Sequence, residues 1–117
     1  MNYQEYKQLL NRELAKKVQR EFDEFRKDIL TKNPQEIYDS ACQIVLKSDI
    51  AEAECFSKPN YSPQAAKALM KSPNLLQDIY EEWIERDSFH REDLRGIIVD
   101  FKAYMVKTER ILSGKER

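Results

Sequence analysis

The sequence predicts an all-α protein, an irregular bundle of four or five helices whose first and last members are long. Three observations carry this prediction. In 117 residues there are two glycines and four prolines, too few for the turns of a β fold, while Lys, Arg, Glu, Asp, Gln, Leu and Ala dominate as they do in long amphipathic helices. Apolar residues recur in steps of three and four through most of the chain. Helix-start signals appear several times, each just ahead of such a periodic run. The length suits one domain, residues 1–117, able to bury a single modest core.

The first helix opens with Asn2 and Glu5, a capping-box spacing that lets side chains satisfy orphan amides. Its apolar stripe is Tyr3, Tyr6, Leu10, Leu14, Val18, Phe22, Phe25 and Ile29. Glu13, Lys17, Arg20, Glu24 and Lys27 are assigned to the opposite, solvated face. Asn33, Pro34 and Glu36 then end one helix and start another, because proline fits the first helical turn and disfavours helix for the residue before it. The second helix is expected to turn Ile37, Ala41, Ile44, Val45 and Ile50 inward. Ser48 and Asp49, with Glu52 three residues on, suggest a capped break within it.

SKPN, residues 57 to 60, is the clearest loop. Ser62-Pro63 and Ser72-Pro73 repeat one pattern, a capping hydroxyl followed by proline in the first helical position. The short third helix then buries Ala65 or Ala66, Leu69 and Met70. Beyond Pro73, Leu76, Ile79, Tyr80, Trp83, Leu94, Ile97, Ile98, Phe101, Tyr104, Met105 and Leu112 keep helical spacing. The polar run ERDSFHRED, 85 to 93, admits a kink, a loop capped by Asp87 or Ser88, or continuous helix; a break is the favoured expectation. Gly114 ends the last helix and leaves 113–117 as a frayed tail.

Composition also excludes functions. No apolar run approaches the roughly 20 residues that span a bilayer, and MNYQEYKQLL lacks the basic-then-apolar pattern of a signal peptide. A cytoplasmic location with no membrane partner is therefore expected. Cys42 and Cys55 are the only cysteines; helix between them would hold them roughly 20 Å apart, so they are expected as small buried hydrophobes and not as a disulfide. Residues 1–32 carry eight basic and six acidic side chains, 33–90 carry five and ten, and 91–117 carry seven and five. The ends are mildly positive and the centre acidic, which gives no strong pull toward nucleic acid or anionic membrane.

Catalysis has little to stand on. The single histidine, His90, has Glu92 and Asp93 near it in sequence but no second His or partnered Cys, and is expected as a solvated residue. Two glycines cannot make a phosphate-cradling loop. No catalytic residue, metal site or cofactor is expected. Ser62 and Ser72 are taken as helix caps in preference to phosphorylation sites.

The stretch from Ser62 to Trp83 has the apolar skeleton of a helix-turn-helix, with Ser72 opening the second helix. Its turn carries Met70 and Lys71 where glycine is usual, and the second helix exposes Asp78, Glu81, Glu82 and Glu85. Carboxylates on that face oppose approach to a duplex that carries one negative charge per ~1.7 Å. Basic residues along Lys16, Lys17 and Arg20, or Lys102, Lys107 and Arg110, alternate with acids.

The run from EFDEFRKDIL through NPQEIYDSACQIVLKSDI to YSPQAAKALMKSPNLLQDIYEEWIERD resembles the bacterial domain of unknown function 3848 family, small proteins common in gut Firmicutes and on their mobile elements. The likeness lies in Pro34, Glu36 and Ile37, in Asp49 and Ile50, in Gln64 through Pro73, and in Leu76, Asp78 and Ile79. It spans residues 21–100; the first twenty residues and the helix after Gly96 depart from the pattern. The resemblance implies a mobile-element accessory protein with no assigned activity, so no functional site is carried over from it.

The leading functional expectation is a non-enzymatic protein-interaction or regulatory module that meets an unidentified protein partner through Asp78, Glu81, Glu82 and Glu85. The alternative is a nucleic-acid-binding regulator that uses residues 62–84 with Lys67 and Lys71, or the basic terminal helices with Lys16, Lys17 and Arg20. Tyr3, Tyr6, Phe22, Phe25, Phe101 and Tyr104 exceed what a monomer of this length is expected to cover, so a homodimer or partner complex through a long helix is also expected.

Overall fold

The computed structural model describes residues 1–85 and 91–112, with side chains described except for 91–93 and 110–112. Every regular element among them is a helix: α1 Tyr3–Leu30, α2 Pro34–Asp39, α3 Ala41–Glu52, α4 Glu54–Ser57, α5 Pro63–Met70, α6 Leu75–Glu85 and α7 Arg91–Leu112. The fold is the expected all-α bundle with long first and last helices. Its seven helical segments exceed the expected four or five because two short ones, α2 and α4, stand apart from α3. Helix α5 lies between α1 and α7, while α3 packs against α6 and α1.

Local signals explain most starts. Asn2 Oδ1 accepts from the Glu5 N–H at 2.8 Å and its amide donates to Glu5 Oε1 at 2.8 Å. Asn33 and Glu36 repeat the arrangement at 2.9 and 2.6 Å ahead of Pro34. Ser62 Oγ accepts from the Ala65 N–H at 3.2 Å, with Pro63 in the first helical position. The bonds from the Glu5, Glu36 and Ala65 N–H groups each satisfy a backbone amide that the helix itself leaves unpaired.

Packing then selects one face of each helix. Leu14 and Val18 of α1, Leu46 and Ile50 of α3, Phe56 of α4, Leu69 of α5, Leu75, Leu76, Ile79 and Trp83 of α6, and Leu94, Ile97 and Ile98 of α7 form one continuous core. Burying each aliphatic side chain of this set stabilises the fold by about 1.5–3 kcal/mol before entropy is counted. Ala65, Ala66 and Ala68 are buried on α5, and such small side chains let α5 lie close between its two long neighbours.

Several expectations are corrected. Helix α3 runs through Ser48 and Asp49 without a break, because Leu46, Lys47, Ile50 and Ala51 are buried across that point. The interruptions fall instead at Ser40 and at extended Ala53 (φ −59°, ψ 141°). Ala41 and Val45 face outward and Leu46 and Lys47 inward, so the buried face of α3 is rotated from the expected one. Tyr3 is exposed while the rest of the α1 stripe is buried or half-buried. Cys42 is exposed and Cys55 half-buried, and both are free thiols.

Ser72 is not the cap of α6. That helix begins at Leu75, and Asn74 Oδ1 takes the Gln77 N–H at 3.1 Å. Ser72 is buried and its hydroxyl donates to Asp78. The two Ser-Pro steps therefore do different work: the first caps a helix, the second ties a turn together. Lys17 is likewise not on a solvated face but 7% exposed. The expectations for ERDSFHRED beyond Glu85, for Asp87, Ser88 and His90, for Gly114 and for the 113–117 tail fall outside the described residues, as do those for the side chains of Glu92, Asp93, Arg110 and Leu112.

Candidate functional site

Helix α1 holds the α5–α6 pair through three polar side chains. Lys17 Nζ donates to the Ser72 carbonyl at 2.6 Å and lies 2.7 Å from Glu21 Oε2. Glu21 Oε1 accepts from the Leu76 N–H at 2.9 Å, in the first turn of α6. A carboxylate at that point satisfies an orphan amide and lies at the positive end of the helix dipole. Ten residues of chain earlier in the fold, at the other end of α5, Asn11 takes the Tyr61 N–H at 2.7 Å and returns a bond to the Tyr61 carbonyl at 2.8 Å. Asn11, Lys17 and Glu21 are each 6–7% exposed. They fix both ends of α5, so the helical pair is internal architecture as much as surface.

The basic residues proposed for nucleic acid are dispersed by this arrangement. Lys17 is enclosed in the α1 network, which corrects its assignment as a phosphate contact. Lys71 pairs with Glu109 of α7 at 2.6 Å, Lys16 with Glu13 at 3.6 Å, and Lys67 Nζ lies 5.1 Å from the Tyr6 ring centre. Arg20 is exposed. Lys102 and Lys107 line a groove of about 470 Å³ between α5 and α7, with Lys102 Nζ 5.7 Å from the Tyr61 ring centre.

The acidic residues separate into two groups. Asp78 is half-buried and accepts from Ser72, so it belongs to the turn and not to an outer face. Glu81, Glu82 and Glu85 are exposed, and Glu81 accepts from Gln77 Nε2 at 3.0 Å. Next to Glu81 sits Lys47 of α3, missed as a structural residue by the sequence because apolar spacing ignores it. Its ammonium lies 4.1 Å from the Phe25 ring centre and 5.5 Å from that of Tyr80, and donates to Gln77 Oε1 at 2.6 Å. Burial lowers its pKa, and the Glu81 charge partly opposes the shift. Burial raises the pKa of Tyr80, with the Cys42 thiol adding to it.

A cleft of about 590 Å³ opens where α3 ends, lined by Asp49, Glu52, Glu54, Cys55, Tyr61 and Arg95 among others. The Tyr61 hydroxyl is buried beside the Cys55 thiol. Burial first, and the neighbouring Cys55 thiol second, push its pKa well above the usual phenol value. A phenol held this firmly protonated beside a thiol is a poor base and a poor nucleophile activator at neutral pH. Among the described residues no three His, Cys, Asp or Glu side chains are grouped to hold a metal ion, and no helix is long and apolar enough to cross a membrane.

No protein-family model, no curated protein and no solved structure matches this chain.

Proposed function

We propose that the chain is a non-enzymatic protein-interaction module whose acidic layer, α3 and α6, receives a basic protein partner. The observation that carries this reading is the charge of α6. Between Leu75 and Glu85 there are four acids and no base, three of those acids are exposed, and α3 beside it turns its one lysine inward. A field of one sign on one layer steers an oppositely charged partner and disfavours nucleic acid. The resemblance of residues 21–100 to the domain of unknown function 3848 family enters here as part of the proposal, for an accessory protein of a mobile element.

The test is affinity capture from cells that express the chain, run in parallel with Glu81→Lys/Glu82→Lys/Glu85→Lys. Basic proteins retained by the native chain and lost by the triple variant support the reading. Identical captured sets, or binding to mixed DNA and RNA with a steep salt dependence, would replace it with the nucleic-acid alternative or with a different surface.

A further inference from the structure

Three large apolar side chains are left in solvent around α2 and α3, apart from others such as Tyr3 on α1 and Val99 and Tyr104 on α7. Tyr38 is 77% exposed, Val45 59% and Leu30, just before α2, 73%. Cys42, between the first two, is exposed as well. Cys42 and Val45 are spaced by three, on one face of α3, and Tyr38 lies on α2 just before the interruption at Ser40. The backbone bond from the Ser40 N–H to the Glu36 carbonyl (3.0 Å) closes α2 and that from the Ile44 N–H to the Ser40 carbonyl (2.9 Å) opens α3, so the two helices abut at Ser40. Helix α2 buries no residue of its own, and its main packing neighbour is α3. The stripe is therefore an apolar face that the chain itself leaves uncovered.

Charge along α2 to α4 is predominantly negative, while the end of α1 beside Leu30 carries exposed Arg26, Lys27 and Lys32. From Pro34 to Glu54 there are five acids, Glu36, Asp39, Asp49, Glu52 and Glu54, and one base, Lys47. That base is 4% exposed and turned beneath Phe25 and Tyr80. Glu81 lies near it on α6. A second copy of this chain docked by two-fold symmetry would bring acids against acids, so the charge favours a partner of opposite sign.

We infer that the α2–α3 face docks a basic amphipathic helix of a partner protein. The partner's apolar residues cover Tyr38, Cys42 and Val45, and its Lys and Arg side chains face Asp39, Glu52 and Glu81. Three anchors, Tyr38, Cys42 and Val45, suit a docked helix of about two turns read at i, i+3 and i+4. So short a contact belongs to the weak, transient class of interfaces. This inference rests on the acidic-partner reading above and adds to it the apolar anchor and the helical form of the partner.

Two synthetic 18-residue peptides of the same Leu/Lys composition test it by fluorescence anisotropy against the full chain, one with leucines on a single helical face and one scrambled. A Leu/Glu analogue is the third probe. The amphipathic Leu/Lys helix is expected to bind at least tenfold more tightly than the scrambled peptide, and Tyr38→Ser/Val45→Ser, with its helix content verified by circular dichroism, to weaken it about tenfold. Equal binding of both Leu/Lys peptides, unaffected by the serine variant, overturns the docking face but leaves the acidic-layer reading standing. No binding of either Leu/Lys peptide overturns both. Equal binding of the Leu/Glu analogue overturns the charge argument, and concentration-dependent self-association abolished by the serine variant would make a second copy the occupant.

Discussion

The turn between α5 and α6 and the face of α2–α3 invert the usual arrangement in opposite directions. At the turn, Lys17, Glu21 and Ser72 are inside. On the α2–α3 face, Tyr38 and Val45 are outside. The buried charges are stable because each has a partner: Lys17 has a carboxylate and a carbonyl, and Glu21 has an ammonium and an amide. The exposed apolar groups have no such internal compensation. Buried polarity that is fully partnered explains itself as architecture, whereas an apolar face left in water points outward to something that covers it.

Single removals at the turn are expected to be the most damaging changes outside the apolar core. Lys17→Met leaves the Glu21 carboxylate buried and uncompensated, and is expected to cost about 3–5 kcal/mol in urea unfolding. The double variant Lys17→Met/Glu21→Leu is expected to recover much of that loss, because the uncompensated charge is gone. A double variant as unstable as the single one would show that the ion pair itself, and not the orphaned charge, sets the penalty.

Asn11→Ala comes next, with an expected loss of about 1–3 kcal/mol from the unpaired N–H and carbonyl of Tyr61. Amide hydrogen exchange checks the assignment: exchange at Tyr61 should accelerate well before exchange in the middle of α6. On the α2–α3 face, Tyr38→Ser and Val45→Ser are each expected to shift stability by no more than about 0.5 kcal/mol. A large destabilisation there would mean that these side chains serve the fold and not a partner.

Alkaline pH sharpens the same contrast. The Tyr61 phenol holds its proton more tightly in the folded protein than in the unfolded chain. The stability it contributes is full below the ordinary phenol pKa of about 10 and is lost as pH rises above it. Lys47 acts with opposite sign: its lowered pKa means the unfolded chain binds the proton more tightly, so its contribution grows as pH rises toward about 10.4. Unfolding curves at pH 9 and 11 should show a loss at the higher pH that Tyr61→Phe diminishes. An undiminished loss would remove Tyr61 as its source.

Much of the fold was legible because its signals are local. Asn2 with Glu5, Asn33 with Glu36, and Ser62 with Ala65 each close within three residues, and the stripe from Tyr6 to Ile29 is fixed by spacing alone. The cap of α6 was not legible. Ser72 and Asn74 are both credible caps in sequence, and the choice is decided by Asp78 and by Glu21 more than fifty residues away. Lys17 and Glu21 look like any solvated i,i+4 pair until α5 and α6 close over them. The α3 face was misassigned because Val45 is apolar and Lys47 is not; burial of Lys47 depends on Phe25, Gln77 and Tyr80, which sequence spacing does not bring together. Of the proposed partner surface, Glu81, Glu82 and Glu85 were legible as charges, whereas the apolar stripe beside them emerged only once α3 had a known orientation.

The most direct test of the central claim is amide chemical-shift mapping of the isotope-labelled full chain titrated with the amphipathic Leu/Lys helix. Saturable shifts confined to residues 34–54 and 75–85, with α1 and α7 outer faces unmoved, are the predicted result. Shifts centred on Lys102 and Lys107, or spread evenly over every exposed carboxylate, would contradict a docking face built from Tyr38, Cys42 and Val45 beneath an acidic rim.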